Sequence, residues 1–262
     1  MTMTPLDQAH AAMEAAPADD AARLRFYDRL AGAELVLMLE AEPEGDRIRP
    51  AIFPVEEQRF ALVFDREERL TAFAEGPAPY AALSGRALVA MLAGQGIGLG
   101  VNLGVAPSSI LIEAGSVDWL AETLATAPEE VEERPEALSP PAGLPEALLT
   151  ALDARLATAE GLARMAYLVG ATYAGGRRGH LMAFVDAVPG AEPALARAVG
   201  DALTFSGVEA GTLDVGFFRV SDPFAARLAR VGLRFDLPEA APSPQVAGAA
   251  PGMDPDRPPR LR

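Results

Sequence analysis

Two adjacent pairs of acids, Glu56-Glu57 and Glu67-Glu68, are the first residues in this chain that could do chemistry. Paired carboxylates act as general acid and base when both face one cavity and their environments separate their pKa values. Here Glu56 and Glu57 fall in a turn between two expected strands. Glu67 and Glu68 fall in the first turn of an expected helix. Sequence neighbours in either setting point apart, which reads as a solvated face. Asn102 closes the run Gly98-Leu99-Gly100-Val101-Asn102-Leu103-Gly104. It is either an exposed binding residue or, more in keeping with a corner, an Asn that satisfies local backbone groups in a left-handed turn. Arg177 and Arg178 follow Gly175-Gly176 in an expected hairpin turn, where they are solvated and able to meet an acidic partner. Glu56, Glu57, Glu67, Glu68, Asn102, Arg177 and Arg178 together make up the candidate interaction surface.

The stronger catalytic signatures are absent from the sequence. The glycine run Gly94-Gln95-Gly96-Ile97-Gly98-Leu99-Gly100 is not G-x-G-x-x-G, because Val101 stands at the last position. It also leaves a helix and enters a strand, whereas a phosphate cradle leaves a strand and opens a helix. No Walker-type loop is possible, because all 22 basic residues are arginine and none is lysine. No G-x-S-x-G elbow occurs, and His180, at the expected start of a strand, has no nucleophile or orienting acid assigned beside it. The chain has no cysteine and only His10 and His180, which rules out disulfides, Cys-ligated zinc, iron–sulfur clusters and a multi-His metal site within one chain. No metal, redox or phosphate-ester cofactor is expected. A formal charge of −15 opposes binding to nucleic acid or an anionic membrane, so the expected partner is another protein.

The elements that would carry these residues are legible in outline. Thr4 and Pro5 mark the start of a helix, and Asp19 the start of a second. Strands are expected at 34–40, 48–55 and 59–65, with turn chemistry at 42–46. Asp65 is expected to cap a helix over 66–74. A Gly-Pro-Ala-Pro turn leads to a helix over 84–93 that Gly94 ends. Short strands over 97–103 and 109–114 and a helix over 117–125 capped by Ser116 complete the first part. The C-terminal part reads as a helix over 144–159, strands over 163–173 and 179–188, a helix over 193–205, a strand over 212–220, a helix over 223–229 and a strand over 232–236. Its order suits one sheet with helices against one face. The fold class expected is α+β, in two small domains that each pack helices on a mixed sheet.

The boundaries follow from composition. Residues 1–125 form the first domain and carry a net charge of −10. Residues 126–143 are rich in Pro and Glu and read as an acidic linker, since they cannot bury enough surface to offset ordering. Residues 144–238 form the second domain, and 239–262, rich in Pro, Ala and Gly, read as a disordered tail. The N-terminus shows neither a signal pattern nor an apolar run near the ~20 residues that span a bilayer, so a cytoplasmic protein is expected. The Ala and Arg bias without Lys points to a GC-rich bacterial genome.

Certain of these segments form a familiar pattern. The strand Leu62-Val63-Phe64-Asp65 leads into a charged helix ending in Leu70-Thr71-Ala72-Phe73. A Gly-led helix, Gly85-Arg86-Ala87-Leu88, precedes the glycine-rich strand that ends at Asn102, and a strand and helix run from Ile110 to Leu124. This resembles the N-terminal domain of the SseB (enhanced serine sensitivity) family of bacterial proteins. The segments Tyr167-Leu168-Val169 through Leu213-Asp214-Val215 resemble that family's C-terminal domain. Two departures stand out. Leu103 occupies a position where the family pattern has Pro, and Leu233-Arg234-Phe235-Asp236 replaces an aromatic cluster. The resemblance supplies no catalytic residue, and it implies a non-catalytic interaction or regulatory module. The alternatives are a small-ligand sensor, for an amino acid as the family's name suggests, and an enzyme with an unusual Arg/Asp/Glu/Ser site.

Overall fold

A computed structural model describes residues 3–43, 48–125, 133–206 and 213–239. Two helices open the chain, α1 (Pro5–Ala15) and α2 (Asp20–Gly32). Thr4 starts α1 through a reciprocal box, its hydroxyl accepting from the Asp7 N–H while the Asp7 carboxylate accepts from the Thr4 N–H. Asp19 starts α2 by accepting from the Ala21 N–H at 3.0 Å. Both starts agree with the sequence reading.

The first sheet holds β1 (Glu34–Met38), β2 (Ile52–Val55), β3 (Gln58–Phe64), β4 (Tyr80–Ser84), β5 (Gly98–Val101) and β6 (Ile110–Ile112). Its order is β4-β1-β3-β5-β6, with β2 paired to the first half of β3. The β3–β5 pair is parallel and the other pairs are antiparallel. Three helices join it, α3 (Glu67–Phe73), α4 (Gly85–Leu92) and α5 (Ala114–Ala125). Strand alternation sorts the core into two faces. Leu35, Leu37, Ala61, Val63, Leu99 and Val101 pack with Phe26, Leu30, Leu88, Leu92, Val117 and Leu120. Val36, Leu62 and Phe64 point the other way, against Leu70, Phe73 and Leu103. Gly85 is required by a close approach: a Cβ there would lie 1.9 Å from the Leu30 carbonyl oxygen.

Several expectations need correction here. β4 is a strand that the sequence reading leaves out: residues 80–83 carry no expected element, because the inward residues, Ala81 and Leu83, give too weak an alternation to register. The strand expected over 48–55 begins only at Ile52, and the 42–46 turn falls mostly outside the described residues. Asp65 does not cap α3, whose N-cap is Arg66 without a side-chain bond; Asp65 is occupied elsewhere, as described below. Ser116 does not cap α5, which already begins at Ala114.

The second sheet holds β7 (Ala137–Ser139), β8 (Met165–Thr172), β9 (Arg178–Val185), β10 (Leu213–Phe218) and β11 (Leu233–Asp236). Its order is β10-β9-β8-β11, with β7 on the second half of β8. The helices are α6 (Glu146–Leu156), α7 (Glu192–Phe205) and α8 (Pro223–Val231). Tyr167, Val169, Leu181, Ala183 and Val185 pack with Phe224 and Leu228 of α8. Ala166, Leu168, Met182 and Phe184, on the opposite face, are buried as well. Both faces are therefore covered, where helices on one face alone were expected.

The fold is α+β, with two sheet-containing parts. Two compact units divide the chain: Met1–Arg134, Ala142–Asp153 and Ala196–Leu213 in one, and Pro135–Pro141, Ala154–Leu195 and Asp214–Arg262 in the other. These ranges differ from the expected 1–125 and 144–238, since the division runs through α6 and α7. The segment expected as linker contributes β7, while its residues 126–132 lie outside the described residues, as does the tail beyond Glu239.

Candidate functional site

The parallel strands β3 and β5 end side by side, and the residues just past their ends are Asp65 and Asn102. In open α/β sheets this is where ligands are usually held. Asn102 turns the chain in the left-handed region, at φ 48°. Its N–H donates to the Val63 carbonyl at 2.9 Å. Its side-chain oxygen accepts from the Asp65 N–H at 3.2 Å, and its amide nitrogen donates to the Ser108 hydroxyl at 2.9 Å. Ser108 in turn donates to Asp7 Oδ1 at 2.5 Å.

Arg69, on the first turn of α3, closes the cluster. It grips Asp7 with both terminal nitrogens, at 3.0 and 2.5 Å, and donates to Asp65 Oδ1 at 2.7 Å. The Thr4 hydroxyl donates to Asp65 Oδ2 at 2.6 Å, and the Thr4 N–H donates to Asp7 Oδ2 at 2.9 Å. Asp7, Asn102 and Ser108 are completely buried and Arg69 is 1% exposed. Elements distant in sequence, the start of α1, the end of β3, α3 and the loop before β6, thus meet through one guanidinium and two carboxylates.

The electrostatics follow from this geometry. Burial alone would push the Asp7 carboxyl up. Hydrogen bonds from Arg69, Ser108 and the Thr4 N–H, together with the Arg69 charge, outweigh burial and hold it far below the usual carboxylate range. The bond to Asp7 raises Arg69, against the opposing effect of burial. Ser108 and Asp7 have the spacing of a nucleophile and its base, but a carboxylate so strongly stabilised is a poor proton acceptor at neutral pH. Both Asp7 oxygens are already doubly occupied. Chemically, the arrangement clamps α1 to the sheet.

The residues singled out from the sequence lie elsewhere, with one exception. Asn102 is at the centre of the cluster and buried, so it is not an exposed interaction residue; its side chain replaces the backbone partners that the corner removes. Glu56 and Glu57 are exposed in the turn before β3, and Glu67 and Glu68 are exposed just after it. Seven strand residues separate the two pairs, roughly 20 Å at strand rise, so they do not form one acidic site. Glu67 accepts a hydrogen bond from the Tyr80 hydroxyl, which raises the tyrosine's pKa. Arg177 lies 3.9 Å over the Tyr173 ring and pairs with Asp214 at 3.2 Å. Arg178 is exposed and opens β9 opposite Thr172. The sequence reading missed Asp7, Asp65, Arg69 and Ser108 as a group. Two local signals were available: the Thr4-x-x-Asp7 box and the i,i+4 spacing of Asp65 and Arg69.

Among the described residues no group of three or more His, Asp or Glu is placed to hold a metal ion, and no helix is long and apolar enough to cross a membrane. The first unit is therefore an α+β domain whose mixed sheet carries its densest polar cluster sealed at the parallel strand ends. The family model described as the SseB protein N-terminal domain matches residues 6–117, and this part of the chain is similar to that domain. The match takes in every element from α1 to the start of α5, including Asp7, Asp65, Arg69, Asn102 and Ser108. Neither a curated protein nor a solved structure gives a significant match.

Proposed function

We propose that the chain is a non-catalytic, cytoplasmic protein-interaction module whose acidic N-terminal part meets a basic protein face. The observation that carries this reading is the state of the strand-end cluster. The polar side chains gathered where a ligand would sit are buried and bonded to one another, so they hold the fold together and offer no open reactive group. The net charge of −10 on residues 1–125 supports a basic partner, since charge of that size steers association and raises its rate more than its affinity. The second half is read as the family's C-terminal domain on the resemblance of its strands.

The test is affinity capture from a cell lysate with the wild-type chain and a Glu56→Arg/Glu57→Arg variant in parallel, followed by binding kinetics on the captured protein. The reading expects a basic protein whose association slows with salt and with the charge reversal. An on-rate indifferent to both overturns the electrostatic reading. Stabilisation by a free amino acid in a thermal-shift screen would favour a ligand sensor instead.

A further inference from the structure

An aromatic run leads from the first core to the surface. His10, Phe26, Tyr27 and Trp119 make successive edge-to-face contacts with centroids 5.7, 5.7 and 5.4 Å apart. His10 and Phe26 are buried, Tyr27 is half-buried, and Trp119 is 41% exposed. Trp119 is the only tryptophan in the chain. The core of the first unit is completed without it, by Val117, Leu120 and Leu124 of the same helix. What remains is a large ring held at one edge by Tyr27, with much of its surface in water. Tryptophan in such a setting is the residue type most enriched among interface hot spots.

The charges beside the ring select the occupant. Glu122 lies one helical turn beyond Trp119 on the same side of α5 and is exposed. Asp118 precedes the ring and accepts from the Gly94 N–H at 2.8 Å. Among the described residues neither carries an ion pair. On α2, one turn before Tyr27, the charge of Arg23 is met by Asp20 at 2.9 Å. The patch is therefore a positioned aromatic pair beside uncompensated carboxylates. A second copy of the chain would bring another −15 and the same acids against it.

We propose that the Trp119–Tyr27 pair, with Glu122 at its side, is the docking site for a basic partner segment. The segment lays an apolar side chain on the indole and sets a Lys or Arg against Glu122, within cation–π reach of the ring. This rests on the proposed interaction with a basic protein and adds where that protein docks.

The sole tryptophan is also the reporter. A short amphipathic Leu/Lys peptide and a Leu/Glu peptide of equal length are titrated into the full chain. Indole emission and the anisotropy of labelled peptide are followed. The Leu/Lys peptide is expected to shift the emission to the blue and saturate. Trp119→Ala and Glu122→Arg are each expected to weaken peptide binding about tenfold, the scale of a hot-spot loss above 1 kcal/mol. Glu56→Arg/Glu57→Arg should slow association through the loss of charge steering, while the saturated Trp119 shift keeps its size. Equal binding of the Leu/Glu peptide, or a concentration-dependent emission shift of the chain alone, overturns the proposal. So does a peptide whose binding falls with the Glu56/Glu57 reversal and not with Trp119→Ala; that outcome removes the docking site while the basic-partner reading stands. No binding of the Leu/Lys peptide in any variant overturns both.

Discussion

Arg69 is the residue on which the first unit's charge balance turns. It stands against two carboxylates, with both terminal nitrogens engaged. Removing one member of a buried pair costs more than the pair is worth, because the partner is left charged without compensation. Arg69→Met should destabilise the domain by about 3–5 kcal/mol in chemical denaturation. Adding Asp7→Asn to that variant should recover part of the loss, because one buried charge is then gone. A double variant as unstable as the sum of the singles would show that the two do not act as a unit. Asp7 also sets a sign for acid unfolding. Its folded pKa lies below its unfolded value. The stability it contributes is therefore complete above the ordinary carboxylate range and drains away as pH falls below about 4. Asp7→Asn should flatten the loss of stability with pH in that acid range and leave the slope between pH 6 and about 8 unchanged. Equal acid slopes for both proteins would contradict the assignment.

At the scale of elements, α1 and α4 are fixed by different physics. α1 is tied by polar bonds at its first turn. Thr4→Ala removes both the helix cap and the bond to Asp65, and a loss of about 1–2 kcal/mol is expected. α4 is fixed by a close backbone approach. The Gly85 N–H donates to the Ala33 carbonyl at 2.8 Å while its Cα faces the Leu30 carbonyl. Gly85→Ala should therefore destabilise by about 1–3 kcal/mol or more, opposite in sign to the usual gain from Gly→Ala in a helix. Thermal melts of the two variants separate the mechanisms. Thr4→Ser, which restores the hydroxyl, should recover most of the Thr4→Ala loss, whereas no side chain at position 85 avoids the Leu30 carbonyl.

For the molecule as a whole, the charge distribution and the segment between the sheets matter most. The Glu and Pro content of residues 126–143 favours cleavage, but Ala137–Ser139 is paired with β8 in register with Thr172 to Gly170. A Glu-specific protease acting on the folded chain should therefore cut before Pro135, and not at Glu136, whose N–H donates to the Thr172 carbonyl at 2.8 Å. Cleavage at Glu136 as fast as at Glu129 would mean that β7 does not stay paired. Glu56→Arg, in the exposed turn at φ 55°, exchanges one non-glycine residue for another in a left-handed position. It adds no new backbone strain, so its effect on association reads as charge alone.

Local chemistry was enough for much of this. The capping box at Thr4, Asp19 before α2, and the alternation in Glu34–Met38 and Gln58–Phe64 each act over a few residues. They are written in adjacent side chains and need no distant partner. The same holds for exposure of Glu67 and Glu68 and for the turn before Arg178. Tertiary structure decided what local patterns cannot carry. β4 exists because β1 offers it a ladder of partners, from Glu34–Ser84 to Met38–Tyr80, although its own side chains are small. Asp65 looked like a helix cap, but a guanidinium four residues on and a hydroxyl from the chain's start compete for the same oxygens and prevail. Asn102 takes the left-handed, backbone-satisfying corner that the sequence favours, and the docking of α1 and the Ser108 loop buries it. Those contacts span from about 60 to 100 residues of sequence, and burial changes the worth of each charge. Spacing marks a residue as polar and placed on a turn; only the packed fold settles whether that polarity meets water, a partner or another buried charge.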